Sequence, residues 1–184
     1  ILNTHWHADH TGGNEELKRK HAGCVVIGPR GERRGYAAIP GMDISVGQDD
    51  TVTLGSIVAT VIDVPGHTAG HVAYHFPSEQ KIFVGDTLFM PDYGTARADF
   101  PGGDAATLFR SIHKILALPS ETRVFVGHDY LPKSRDTFVW ETTVAEERAS
   151  NVHVHEGVSE HDFVEMREAR DKTLAAPRLI LPAL

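Results

Sequence analysis

Short apolar and β-branched runs, each closed by glycine, set the rhythm of this chain. Val61-Ile62-Asp63-Val64 leads into Pro65-Gly66-His67, Lys81-Ile82-Phe83-Val84 into Gly85-Asp86, and Arg123-Val124-Phe125-Val126 into Gly127-His128. Such runs read as strands, and a glycine after each permits a tight turn with no side chain in the way. Residues 51–54 and 57–64 predict a hairpin around Gly55-Ser56, and residues 72–76 and 81–84 a second around Ser78-Glu79-Gln80. The start Ile1-Leu2 and the run 24–27 predict two further strands. Helical spacing appears elsewhere. Asn14 can cap a helix that runs to about Ala22 and ends at Gly23. Asp104 precedes Leu108, Phe109, Ile112, Ile115 and Leu116, which recur at the helical period. Two more helices are expected near 140–150 and 160–174, the second opening with Ser159-x-x-Asp162. No repeat, low-complexity tract or linker interrupts the pattern, so residues 1–184 read as a single domain.

Composition narrows the class. A chain of 184 residues with 41% hydrophobic and 23% charged residues suits one soluble domain with a real core. A net charge of −7 argues against a nucleic-acid surface, and no apolar run approaches a membrane span. The single cysteine, Cys24, excludes an intramolecular disulfide and fits a reducing, cytoplasmic setting. Its place in Cys24-Val25-Val26-Ile27 predicts a buried core thiol. Arg30, Arg33 and Arg34, in a polar stretch through Gly35, read as a solvated loop. The chain opens on Ile1 rather than methionine, and the apolar tail 179–184 reads as cut rather than capped.

The candidate chemistry lies in Thr4-His5-Trp6-His7-Ala8-Asp9-His10, which places three imidazoles and a carboxylate within six residues. If the opening is a strand, His5, His7 and Asp9 alternate and point to one side. Gly12-Gly13 would then let His10 turn back toward them. His67, Asp86 and His128 each follow a strand and a glycine, so four chain segments can meet at one edge as a metal cage. Imidazole suits zinc, copper, iron and nickel, and a carboxylate adds preference for a harder divalent ion. With that set filled, His71 and His75 are expected either to back the ligands or to serve the fold, and His21 to face solvent. His153, His155 and His161 show no closed tetrahedral spacing.

The pattern HxHxDH, then His, then Asp, then His is matched by His5, His7, Asp9, His10, His67, Asp86 and His128, and resembles the metallo-β-lactamase fold superfamily. The resemblance implies an α/β, four-layer αββα sandwich. That family places several strands and a helix before its first histidines, so it also implies an N-terminally incomplete domain that lacks its N-terminal strands. Two cage fillings follow from it. In one, His5, His7 and His67 hold one zinc, Asp9, His10 and His128 another, and Asp86 bridges them for hydrolysis. In the other, His5, His67 and Asp86 hold one Fe(II) as an oxygenase set.

Gly66-His67-Thr68-Ala69-Gly70-His71 and Gly85-Asp86-Thr87-Leu88-Phe89 look like both the hydroxyacylglutathione hydrolases (glyoxalase II) and the persulfide dioxygenases. Ala96-Arg97-Ala98-Asp99-Phe100, Leu108-Phe109-Arg110-Ser111-Ile112, Gly127-His128-Asp129-Tyr130 and Thr143-Val144-Ala145-Glu146-Glu147-Arg148 resemble the dioxygenases, closest to the bacterial β-lactamase hydrolase-like branch. The hydrolases usually read His-Glu-Tyr at the third ligand. Tyr93-Gly94-Thr95-Ala96 stands where the dioxygenases have Gly-Cys-Gly before the arginine, which predicts a different thiol pocket. The expected function is oxidation of a thiol persulfide, glutathione persulfide first, by dioxygen at one iron. The alternative is a dinuclear zinc hydrolase of thioesters or lactones. Asp9 and Tyr130 are the expected catalytic groups, and Arg97 and Tyr130 the expected substrate contacts. Arg97 can instead tie Asp99 to the site wall. The expected partner is a small sulfur compound, with a homodimer allowed and no nucleic acid or membrane.

Overall fold

The computed structural model describes residues 1–32 and 38–175; Arg33, Arg34, Gly35 and the tail 179–184 lie outside them. The opening residues are extended only briefly. Leu2 bridges Ile27 in parallel, and the chain then bends through Thr4-His5 into a one-turn helix, α1 (Ala8–Thr11). The expected strand carrying His5, His7 and Asp9 in alternation is therefore not formed, and Asp9 sits in the first turn of α1. α2 (Asn14–Lys20) follows, with Gly13 rather than Asn14 at its N-cap. The Asn14 amide instead donates to Asn3 Oδ1 (2.8 Å) and the Pro40 carbonyl (3.1 Å), fastening the helix to the chain start.

β1 (Ile27–Pro29) begins three residues later than the expected strand at 24–27. Cys24 lies in the preceding turn, where its amide donates to the His21 carbonyl, and its side chain is half-buried rather than in the core. β1 pairs in parallel with β2 (Ile44–Val46). A second sheet runs in chain order through β3 (Thr51–Leu54), β4 (Ile57–Asp63), β5 (Val72–Phe76), β6 (Lys81–Phe83), β7 (Arg123–Phe125) and β8 (Glu141–Thr143). The two expected hairpins are β3–β4 and β5–β6. β2 and β8, three residues each, carry too little alternation to be read from sequence.

Period-two alternation divides the core. On β5, Val72, Tyr74 and Phe76 join Ala59, Val61, Val46 and Val52 on the face toward β1 and β2. Ala73 points the other way with Ile82 and Val124, against α3 (Ala105–Leu116) and α5 (Glu160–Asp171). Leu108, Ile112, Ile115 and Phe163 are fully buried there. The Asp104 side chain caps α3 by accepting from Thr107 N (2.7 Å), and Ser159 caps α5. α4 (Val144–Ser150) opens on a capping box of Thr143 and Glu146. Among the described residues no helix is long and apolar enough to cross a membrane.

Strand direction places the centre. β4 and β6 are both antiparallel to β5, and β7 is parallel to β6. The three strands therefore run the same way, and the turns that follow them emerge at one sheet edge. The backbone around the first motif is held to that edge by Val72 N, which donates to the Thr4 carbonyl (2.9 Å).

Candidate metal centre

All seven ligand-type residues meet at this edge. His7 Nδ1 lies 3.0 Å from His5 Nε2 and 3.1 Å from His67 Nε2. His128 Nε2 lies 3.0 Å from His10 Nε2, 3.1 Å from Asp9 Oδ2 and 3.3 Å from Asp86 Oδ2. Asp86 stands between the two groups, with His10 Nε2 at 3.3 Å, His67 Nε2 at 3.7 Å and His5 Nε2 at 4.0 Å. The turns of α1 do what the absent strand could not. The bend at His5, the extended His7 and the helical Asp9 and His10 aim side chains from a single short stretch at both groups.

The donor set fits a cation. His67 Nδ1 donates to the Arg97 carbonyl (2.8 Å), so its Nε2 presents a bare lone pair to the nitrogen of His7. His7 Nδ1 can share a proton with only one of its two neighbours, so at least one of the three nitrogens keeps an unsatisfied lone pair. A separation of about 3 Å is the spacing of two ligands on one ion with metal–nitrogen distances of roughly 2.0–2.1 Å. Asp86 Oδ1 is buried and has no hydrogen-bond partner, a desolvated acceptor that a metal ion would satisfy.

Electrostatics separate the two groups. Burial holds His5 well below the usual imidazole range, lowers His67, and brings His7 down to about 4, so these three are neutral at pH 7. Burial opposes ionisation of Asp86 too, but the His10 and His128 imidazoles beside it outweigh burial and keep the carboxyl well below its usual range. Bonds to Asp86 and Asp9 push His128 up to about 10. Ligation requires that proton to leave. Loading the metal-free protein at pH 7.5 with an ion that engages His128 should release close to one proton per chain. The release should fade as pH rises past about 10, where His128 is already neutral. Titration calorimetry in buffers of different ionisation enthalpy measures it.

Supporting residues close the shell. His71 stacks on His5 (4.6 Å between centroids) and its Nε2 accepts from Asp86 N (3.1 Å), which fixes the ligand's backbone. Gly127 lets β7 pass close to Asp86, since a Cβ there would sit 2.5 Å from Asp86 Oδ1. Two features escaped the sequence reading. Phe100 packs edge-on against His7 (5.2 Å) and His67 (5.5 Å). Glu32 is buried and accepts from Thr68 Oγ1 and Gly70 N, gripping the His67 loop. Neither carries a local signal, because each reaches its partner only across the fold.

Arg97 and Tyr130 lie beside the centre, and the remaining histidines lie apart from it. Arg97 forms a two-pronged pair with Asp99 (2.6 and 2.7 Å), donates to the Ala175 carbonyl (2.9 Å) and lies over the Phe100 ring. Tyr130 is half exposed, 5.4 Å from the His128 ring and stacked on Tyr93 at 4.7 Å. His75 lies on β5 opposite Ile82, and His21 faces solvent. His153 Nδ1 accepts from Thr95 N (3.1 Å), while His155 and His161 stand apart from it at the surface.

Comparison with known proteins agrees with this architecture. The model of the metallo-beta-lactamase superfamily matches residues 1–128. A beta-lactamase hydrolase-like protein of Agrobacterium fabrum is 45% identical over 196 residues, covering 100% of this chain and 44% of that protein. A hydroxyacylglutathione hydrolase of Hyphomonas neptunium is 40% identical over 172 residues, covering 94% of this chain and 60% of that protein. The chain thus spans about half the length of these curated relatives. The crystal structure of ETHE1 from Myxococcus xanthus superposes with a TM-score of 0.82 at 32% identity, over 100% of this chain and 73% of that one. The family pattern covers the segment that carries all seven ligand-type residues, and the α/β fold around them is matched from end to end: the chain belongs to the metallo-beta-lactamase superfamily.

Proposed function

We propose that this metalloenzyme oxidises the outer sulfur of a thiol persulfide, such as glutathione persulfide, with dioxygen at one Fe(II) held by His5, His67 and Asp86. The observation that supports a single ion is the asymmetry of the cage. His5, His7 and His67 are buried and neutral, and the one proton that His7 Nδ1 can share with its two neighbours leaves a lone pair that a cation would satisfy. Asp9 and His128 instead neutralise one another across 3.1 Å, with His10 in contact. Fe(II) held there would activate dioxygen, while the electrons that reduce it come from the outer sulfur, which with added water leaves as sulfite and frees the thiol. His67 is kept in one tautomer by the Arg97 carbonyl, and Asp86 is fixed through its backbone by His71. Phe100 against His67 on one flank and Phe89 with Tyr130 near His128 on the other set apolar rings beside the ligands, surroundings suited to a polarisable sulfur chain. Asp9 and His128 hold a proton at the mouth, and the Tyr130 hydroxyl supplies a hydrogen bond to substrate. Arg97 shapes the wall through Asp99 and reaches substrate only along its exposed edge. The proposal includes a cytoplasmic setting and no partner beyond the small sulfur substrate and a second copy of the chain.

One observation favours a second reading. Asp9, His10 and His128 form a further set of three ligand atoms mutually within 4.8 Å, as His5, His7 and His67 do. Two zinc ions bridged by Asp86 would make a hydrolase of thioesters or lactones. Metal content of protein purified without added metal separates the readings: one iron per chain supports the first, two zincs the second. In the iron reading His128→Ala should keep that iron, since His128 only donates to Asp86 and Asp9. In the zinc reading the same variant should lose one of two ions. Loss of all metal would count against both.

A further inference from the structure

Arg167 is the largest fully buried side chain in the described structure, 1% exposed, and its partner Asp171 is 5% exposed. Both lie on α5, away from the cage. A buried ion pair is a poor source of stability, because its desolvation offsets most of the attraction. The contacts around this pair point to geometry instead. Arg167 Nε and Nη2 donate to Asp171 Oδ1 (2.9 and 2.6 Å), leaving Nη1 to donate to the Thr95 carbonyl (3.2 Å). Asp171 Oδ2 accepts from Ala98 N (2.9 Å). The pair thus holds the backbone at Thr95 and at Ala98. Between those two points lies the Arg97 carbonyl, which accepts from His67 Nδ1.

We propose that Arg167 and Asp171 are positioning residues for the metal centre: they fix the Thr95–Ala98 backbone so that the Arg97 carbonyl holds His67 in a single tautomer with Nε2 directed at the cage. His153 adds a third hold, its ring packed under Gly94 and its Nδ1 accepting from Thr95 N. The guanidinium fork suits the task because it spans a carboxylate and a carbonyl at once, which a lysine ammonium does less well. An outer hydrogen bond that orients a ligating histidine is typically worth 10–100-fold in metal affinity. The inference rests on the reading of His67 as a metal ligand.

The test replaces both charges, Arg167→Met with Asp171→Leu, so that no unpaired ion stays buried. Nitrogen-15 NMR of the metal-free protein reads the His67 tautomer, and competition with a chromophoric chelator reads affinity for Fe(II) and Zn(II). The double variant should melt cooperatively, show His67 averaging between tautomers, and bind metal about tenfold more weakly. A folded double variant with the parent tautomer and parent affinity overturns the proposal. Arg167→Lys, which keeps Asp171 paired, decides the matter if the double variant does not fold. It should weaken binding several-fold, and parent behaviour in both readouts would again overturn the proposal. His67→Ala is run beside them. Full metal affinity in that variant would show that the reading of the centre, rather than the positioning role, is at fault.

Discussion

Asp86→Asn is expected to give a folded protein that retains little metal and shows no turnover. Asp86 stands between both ligand groups, and both readings of the centre need it. As the carboxylate of an iron site it supplies the negative charge that makes Fe(II) binding favourable. As a bridge it offsets the repulsion of two dications. The amide keeps the shape and removes the charge, and an amide oxygen is a weaker ligand for a divalent ion. The loss in affinity should exceed the 10–100-fold typical of outer hydrogen-bond partners. The fold should survive, because the backbone contacts at this position are untouched. His71 Nε2 still accepts from the amide at residue 86, and Gly127 N still donates to the Gly85 carbonyl. Removing the charge also releases His128, whose pKa is raised first by its hydrogen bond to Asp86. Elemental analysis and oxygen uptake on glutathione persulfide, with thioester hydrolysis alongside, measure the result. Near-normal metal content together with near-normal turnover would remove Asp86 from the ligand set.

Gly66→Ala should be the most destabilising single-methyl change near the site. Gly66 has φ +133, a backbone region that L side chains rarely adopt, and a Cβ there would lie 2.4 Å from both Cα and N of Leu108. Those atoms belong to the first turns of α3, whose apolar face is locked into the core, so the obstacle cannot rotate away as a side chain could. Overpacking typically costs 1–3 kcal/mol and a strained backbone about 1–3 more, so a loss of roughly 3 kcal/mol is expected. For a chain of this size that lowers the melting temperature by about 6–12 °C. The site should suffer as well. The Gly66 carbonyl accepts from Asp104 N (2.9 Å), tying the His67 turn to the α3 cap, and pushing α3 away moves His67 with it. Thermal melts of the metal-free protein and its metal stoichiometry check both effects. A variant melting within about 2 °C of the parent would mean that α3 does not bear on this turn.

Much of the centre was legible in the chain itself. The residues that can hold a metal are chemically dense, and three of them repeat one local grammar of apolar run, glycine and ligand at 64–67, 82–86 and 124–128. That grammar is set by neighbouring residues, so reading it needs no tertiary knowledge. The β3–β4 and β5–β6 hairpins and the cap and apolar face of α3 were readable for the same reason. The elements misread are those whose local signal is short or shared. Ile1 to Asp9 alternates like a strand, yet only Leu2 finds a bridge, and the backbone turns into α1 instead. Cys24 lies in an apolar run but precedes the strand, so it is half-buried.

What only the tertiary structure decided is how the ligands are held. The Arg97 carbonyl reaches His67 across 30 positions, Thr68 reaches Glu32 across 36, and Ala98 reaches Asp171 across 73. The division of the cage into a buried neutral side and an exposed ion-paired side is of the same kind. It depends on which histidines the sheet edge covers, and burial is a property of the packed molecule rather than of any local stretch. Sequence determined which atoms can bind a metal, because ligand chemistry belongs to single residues. The fold decided their protonation and orientation, because those depend on neighbours that the chain brings together only when it is folded.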